Sequence, residues 1–148
     1  MSRLAACLLI SVACLAACGE VEDTRPGQPV KQRQQAFKAM LRSFEPMGKM
    51  LRDQRYDADR FAALAAELAA LRDAPWPHFG PDTLYPPSKA TAAVWQRAGD
   101  FERERLNFAG AVDRLQAAAG SRDKAVIEPA YKAVYDSCQA CHRDFRER

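Results

Sequence analysis

In four separate stretches of the chain, apolar side chains recur at steps of three and four, and no other feature constrains the fold as tightly. Such steps keep side chains on one face of an α-helix, where they form a stripe that must be buried. The first stretch, about residues 29–53, places Phe37, Met40, Phe44, Met47 and Leu51 on one stripe. Pro46 lies inside it and is expected to bend the helix, because it deletes the hydrogen bond to the Arg42 carbonyl. The second, about residues 57–73, carries Phe61, Leu64, Leu68 and Leu71, with Asp57 or Asp59 able to cap its start. The third is expected to start at Ser88 and to end at about Ala119, where Gly120 stops it. The fourth is expected to start at Ser121 and carries Ile127, Tyr131, Val134, Cys138, Cys141 and Phe145. Residues 74–87 hold five prolines, which neither a helix nor a central strand tolerates, so they form the long connection. No segment alternates with period two. The pattern predicts an all-α fold, an antiparallel up-down four-helix bundle with room for a cofactor between its inward faces.

The N-terminus stands apart from this pattern. Arg3 precedes an apolar run from Leu4 to Ala17, broken only by Ser11. The run is short for a membrane span and lies where a secretory signal lies. It ends Leu15-Ala16-Ala17-Cys18, which resembles the lipobox of bacterial lipoproteins; an ordinary signal peptide cleaved nearby is the alternative. Residues 1–17 are therefore expected to be a lipoprotein signal peptide and Cys18 the lipidated residue. Gly19 after the Cys leans towards the outer membrane. Residues 18–28, polar and containing Pro26 and Gly27, are expected to be a tether, and 29–148 the bundle. The formal charge of +3 is mild and no basic block interleaves with aromatics, so nucleic acid is not an expected partner.

The cysteines divide cleanly. Of five, Cys7 and Cys14 leave with the signal and Cys18 carries lipid. Cys138 and Cys141 remain, within Cys138-Gln139-Ala140-Cys141-His142. On a helix the two sulfurs leave one face about a turn apart, so each can form a thioether with one vinyl group of the same haem. His142, on that face, can then reach the iron as proximal ligand. A thioredoxin-type dithiol expects a βαβ context and a helix start. A zinc site wants about four ligands, and the only other His is His78 in the proline loop. One covalent haem c near the C-terminal helix is the expected cofactor.

With the bundle and the motif in place, residues 29–148 resemble the cytochrome c′/cytochrome c-556 family. Three blocks carry the likeness: Val30 to Met40; Trp76-Pro77-His78-Phe79 with Val94-Trp95 and Asp100-Phe101-Glu102; and Cys138 to Arg146. The resemblance implies that Arg33 bonds a haem propionate and that Arg146 is the basic residue on the proximal side. It implies that Phe37 is the bulky apolar residue on the distal side. The spacing from Arg33 to Met40, with the later Pro46, looks nearer the c-556 branch, in which a first-helix Met completes the iron coordination. Core filling is the other use of a buried Met.

The expected function is thus that of a periplasmic carrier of single electrons with six-coordinate His142/Met40 iron. A five-coordinate cytochrome c′ that binds nitric oxide or other small gases is the alternative. The sixth ligand decides between them, since His alone leaves an open position. No enzymatic activity is expected, since no spare His or acid–base pair is evident. The expected partners are a redox protein whose identity the sequence does not specify and the membrane through Cys18; a homodimer is compatible with the sequence, which does not specify the oligomeric state. Each buried methylene adds roughly 0.8 kcal/mol to anchoring. Native protein should therefore partition with membranes into detergent, and Cys18→Ser should release it to the soluble fraction.

Overall fold

Each apolar stripe forms a helix, and the connections differ from expectation in ways that shape the site. The computed structural model describes residues 21–53 and 55–148, so the expected signal peptide, residues 1–17, and the expected lipidation site, Cys18, lie outside the described residues. Helix α1 spans Pro29–Arg52 and runs on through Pro46. Helix α2 spans Ala58–Leu71, with the Asp57 carboxylate accepting from the Arg60 N–H at 3.0 Å. The proline loop contains a 3-10 turn at Trp76–His78. A short α3, Ala93–Gln96, leads into α4, Ala98–Gly120, and then α5, Lys124–Phe145. The chain belongs to the all-α class. No helix among the described residues is long and apolar enough to cross a membrane.

Three boundaries differ from the sequence reading. Ser88 does not cap a helix: its hydroxyl accepts from the Arg33 guanidinium and from the Ala90 N–H, and helical structure begins only at Ala93. A break at Arg97 (φ −121°, ψ 48°) then separates α3 from α4. Helix α5 is capped by Asp123, which accepts from the Ala125 N–H at 2.9 Å, rather than by Ser121. The third difference concerns the segment expected to be a tether. Gln28, at the local N-cap position of α1, has a left-handed backbone (φ 44°) and no capping side chain. Asp23 caps instead, accepting from the Val30 and Lys31 N–H groups at 2.9 and 3.1 Å. It is 2% exposed, so residues 23–28 belong to the folded domain.

The core lies where the stripes meet. Met40, Phe44 and Met47 of α1 pack with Phe61 and Leu68 of α2, Phe108 and Leu115 of α4, and Ile127 and Val134 of α5. Helix α4 packs extensively on α2 and α5, whereas α1 and α5 meet over only a short stretch. At that meeting the Tyr131 ring stacks on Phe44, centroids 4.4 Å apart, with the rings 10° from parallel. Gly48 makes the approach possible, because a Cβ there would overlap the Tyr131 hydroxyl and lie 2.8 Å from its Cζ. The ring is held by its stack and cannot step aside without disturbing the core. Gly48→Ala is therefore expected to destabilise the haem-loaded protein by about 1–3 kcal/mol, the usual range for overpacking. The measurement is a thermal melt followed by circular dichroism.

Candidate haem site

The short α1–α5 contact leaves a groove of about 420 Å³ at one end of the bundle. Four parts of the chain line it: Arg33, Phe37, Met40 and Leu41 from α1; Trp76 and Phe79 from the proline loop; Phe101 from α4; and Cys141, His142, Phe145 and Arg146 from the end of α5. Gln34 and Lys38 of α1, with Lys89 and Ala90 from the end of the long connection, complete it. The aromatic wall is continuous. Phe37 meets Trp76 edge-on at 5.7 Å, Trp76 stacks near Phe79 at 6.1 Å, Phe79 meets Phe101 at 5.1 Å, and Phe101 meets Phe145 at 5.3 Å. Contacts of this kind add to the area each ring buries and hold the wall in shape.

The end of α5 is strapped by the segment before α4. Thr91 N–H donates to the Phe145 carbonyl at 3.0 Å, and Glu147 N–H to the Lys89 carbonyl at 2.8 Å. These bonds form an isolated antiparallel bridge between Ala90 and Arg146. The Thr91 hydroxyl donates to the Asp144 carbonyl at 3.0 Å, and Arg97 donates to the Asp144 carboxylate at 3.0 Å while lying over the Phe145 ring. The turn carrying His142 is therefore fixed from outside the helix.

The two thiols sit apart in the packing. Cys138 packs against the main core, and Cys141 against the smaller cluster of Ala90, Val94 and Phe145. Burial pushes both thiols up to about 11, so they are protonated at neutral pH. A reactive dithiol needs the opposite shift, which argues against the redox-dithiol use of this motif. Among the described residues no group of three or more His, Cys, Asp or Glu side chains could hold a metal ion. Desolvation, and then the nearby Arg146 cation, hold the His142 pKa below the usual histidine value. Both favour the neutral imidazole that an iron ligand requires.

Arg33 is 3% exposed. Its Nη1 donates to the His78 carbonyl at 3.2 Å and the Thr83 hydroxyl at 2.8 Å; its Nη2 donates to the Thr83 carbonyl at 2.9 Å and to the Ser88 hydroxyl. The guanidinium also lies 4.7 Å from the Phe79 ring centroid. All four hydrogen-bond partners are neutral oxygens, and burial lowers the Arg33 pKa. These oxygens occupy both Nη atoms, so what Arg33 offers an anion such as a haem propionate at the groove is a fixed positive charge with no carboxylate in contact. Phe37 is half-buried beside it. Met40 also reaches the groove, yet it is 6% exposed and packed in the main core.

The cytochrome c′ family model matches residues 28–146. The chain belongs to the cytochrome c′ family. A cytochrome c′ from Alcaligenes xylosoxydans xylosoxydans is 32% identical over 125 residues, which cover 84% of this chain and 97% of that protein. The solved cytochrome c′ from Rubrivivax gelatinosus superposes with a TM-score of 0.79 at 32% identity, covering 85% of this chain and all of that one. A nitric oxide complex of a mutant Alcaligenes xylosoxidans cytochrome c′ superposes with a TM-score of 0.78 at 32% identity, covering 86% and 100% of the two chains. A more distant likeness, 27%, is to a cytochrome c-554 of Cereibacter sphaeroides, covering 74% of each chain. As a cytochrome c′ family member the chain is a four-helix-bundle haem protein with covalent haem c.

Sequence reasoning placed Cys138, Cys141, His142, Arg33, Phe37, Met40 and Arg146; the fold brings all of these but Cys138 to the lining of one groove, and Cys138 packs on the main core. It missed Lys89 and Ala90, whose place depends on where the long loop returns. The groove residues and the motif lead to one expected outcome. Replacing both Cys138 and Cys141 with Ala should leave no haem on the chain after acid-acetone extraction, measured by mass spectrometry, against one haem on the wild type.

Proposed function

We propose that this chain is a gas-binding cytochrome c′ whose haem iron is held by His142 through the Cys138 and Cys141 thioethers, with the sixth position open. One observation carries the reading: the chain shares 32% identity over nearly the full length of cytochromes c′, among them one from Alcaligenes xylosoxidans solved as a nitric oxide complex. Haem supplies an iron that can take up a small diatomic ligand; the protein decides what reaches it. Arg33 holds a propionate, and Arg146 keeps a positive charge beside His142. Phe37, with Trp76 and Phe79 behind it, makes the opposite wall apolar and excludes water. Met40 fills core space with Phe44 and Met47, which supports this reading over the six-coordinate carrier that the sequence alone favoured. That electron carrier, with Met40 as ligand, keeps one support: Met40 reaches the groove wall. Export to the periplasm and anchoring at Cys18 in the outer membrane belong to the same proposal, supported by the run from Leu4 to Ala17.

The ferric spectrum separates the two readings. The wild type should be high-spin, and Met40→Ala should leave that spectrum unchanged. Carbon monoxide and nitric oxide should bind the ferrous protein. Phe37→Ala should speed carbon monoxide binding roughly tenfold or more, equivalent to about 1.4 kcal/mol of barrier, by opening the apolar wall. A low-spin wild type in both oxidation states, turned high-spin by Met40→Ala, overturns the gas-binding reading in favour of the carrier.

A further inference from the structure

Asp23 lies outside the groove and outside every helix, yet it touches both elements that Arg33 joins. One carboxylate oxygen, Oδ2, accepts from Val30 N–H and Lys31 N–H at the start of α1. The other, Oδ1, accepts from the Tyr85 hydroxyl at 2.9 Å and from the Arg25 N–H at 3.2 Å. Arg25 in turn lies 4.0 Å from the Tyr85 ring centroid and donates to the Asp82 carbonyl at 3.2 Å. Asp23 therefore ties the first turn of α1 to the proline loop, close to where Arg33 makes the same connection through Thr83 and Ser88. Burial pushes the Asp23 carboxyl up, but the bonds from Lys31, Tyr85, Arg25 and Val30 outweigh it and hold the group below the usual carboxylate range. The Asp23 charge also acts on Arg33.

We propose that Asp23 is a positioning residue of the haem site: by clamping the start of α1 to Tyr85 it sets where the Arg33 guanidinium stands at the groove. The proposal rests on the reading that Arg33 meets a haem propionate. Asparagine cannot replace Asp23. Each carboxylate oxygen takes two donors, so the Asn amide must turn its own N–H donors against one of those pairs. With the amide nitrogen towards α1 the cap is lost; with it towards Tyr85 the hydroxyl can turn to accept, but the Arg25 N–H then faces a donor and a neutral bond replaces the charge-assisted one, so in either case the frame of Arg33 loosens.

The test uses the full chain loaded with haem, with the midpoint potential and the propionate bending band in resonance Raman as readouts. Arg33→Gln removes a positive charge beside the haem, which disfavours the reduced form and should lower the potential. Asp23→Asn should lower it as well and shift the same Raman band, and Tyr85→Phe should do both to a smaller degree. In the Arg33→Gln background, Asp23→Asn and Tyr85→Phe should add no further shift, since they act through Arg33. An upward shift with Asp23→Asn, as direct loss of a negative charge would give, overturns the proposal, as does a shift that adds to that of Arg33→Gln. Should Asp23→Asn fail to fold, Tyr85→Phe carries the test by the same criteria, and an unchanged potential and Raman band in that variant overturn the proposal. If Arg33→Gln itself moves neither readout, the placement of Arg33 at a propionate fails first, and the role of Asp23 falls with it.

Discussion

A buried guanidinium joins the first helix to a loop that has no regular structure of its own. Arg33 is enclosed by protein, and a cation there is costly unless its donors are matched. The proline loop supplies the match. Prolines cannot donate, so carbonyl oxygens such as those of His78 and Thr83 are left without backbone partners in a helix or sheet and are free to accept from Arg33. The loop thereby gains a fixed path across the end of the bundle. Its aromatic residues, Trp76 and Phe79, are carried to the groove on that path. The Trp95 indole reinforces it by donating to the carbonyls of Phe79 and Gly80 at 3.2 and 3.0 Å.

The opposite wall depends on a different device. The last turn of α5 has no helix beyond it, and a free end would fray. Residues 89–97 hold it through backbone bonds, the Thr91 hydroxyl and the Arg97–Asp144 pair. Arg97 is exposed, so its ion pairs contribute little to stability by themselves. Their value is geometric, because they set the turn that presents Cys141 and His142. Both walls of the groove are thus placed by the long connection between α2 and α4, which links the redox-cofactor motif at the C-terminus to Arg33 near the start of α1.

Much of this was legible in the sequence, and the exceptions have physical causes. The stripes located the bundle because burial repeats with the helix. The haem motif was legible because thioether chemistry demands that spacing. Ser88 has the side chain of an N-cap, but Arg33 captures its hydroxyl from far along the chain. Asp23 was hidden because it caps α1 from outside the helix, folding back from an upstream segment that composition marked as a tether. Met40 was ambiguous for a further reason. Periodicity gives the face a residue occupies, while ligation depends on how far its sulfur reaches, which no local spacing records.

The sequence by itself determined the helical class, the apolar stripes, the proline break and the covalent haem motif, because each follows from local spacing or from bond chemistry. The tertiary structure decided which residues share the groove. It brought Arg33 into the loop, gathered Phe37, Trp76, Phe79, Phe101 and Phe145 into one wall, and joined Asp23 to Tyr85. These contacts link residues distant in the chain, and no local pattern records them: they form only when the packed helices bring the proline loop across the open end of the bundle.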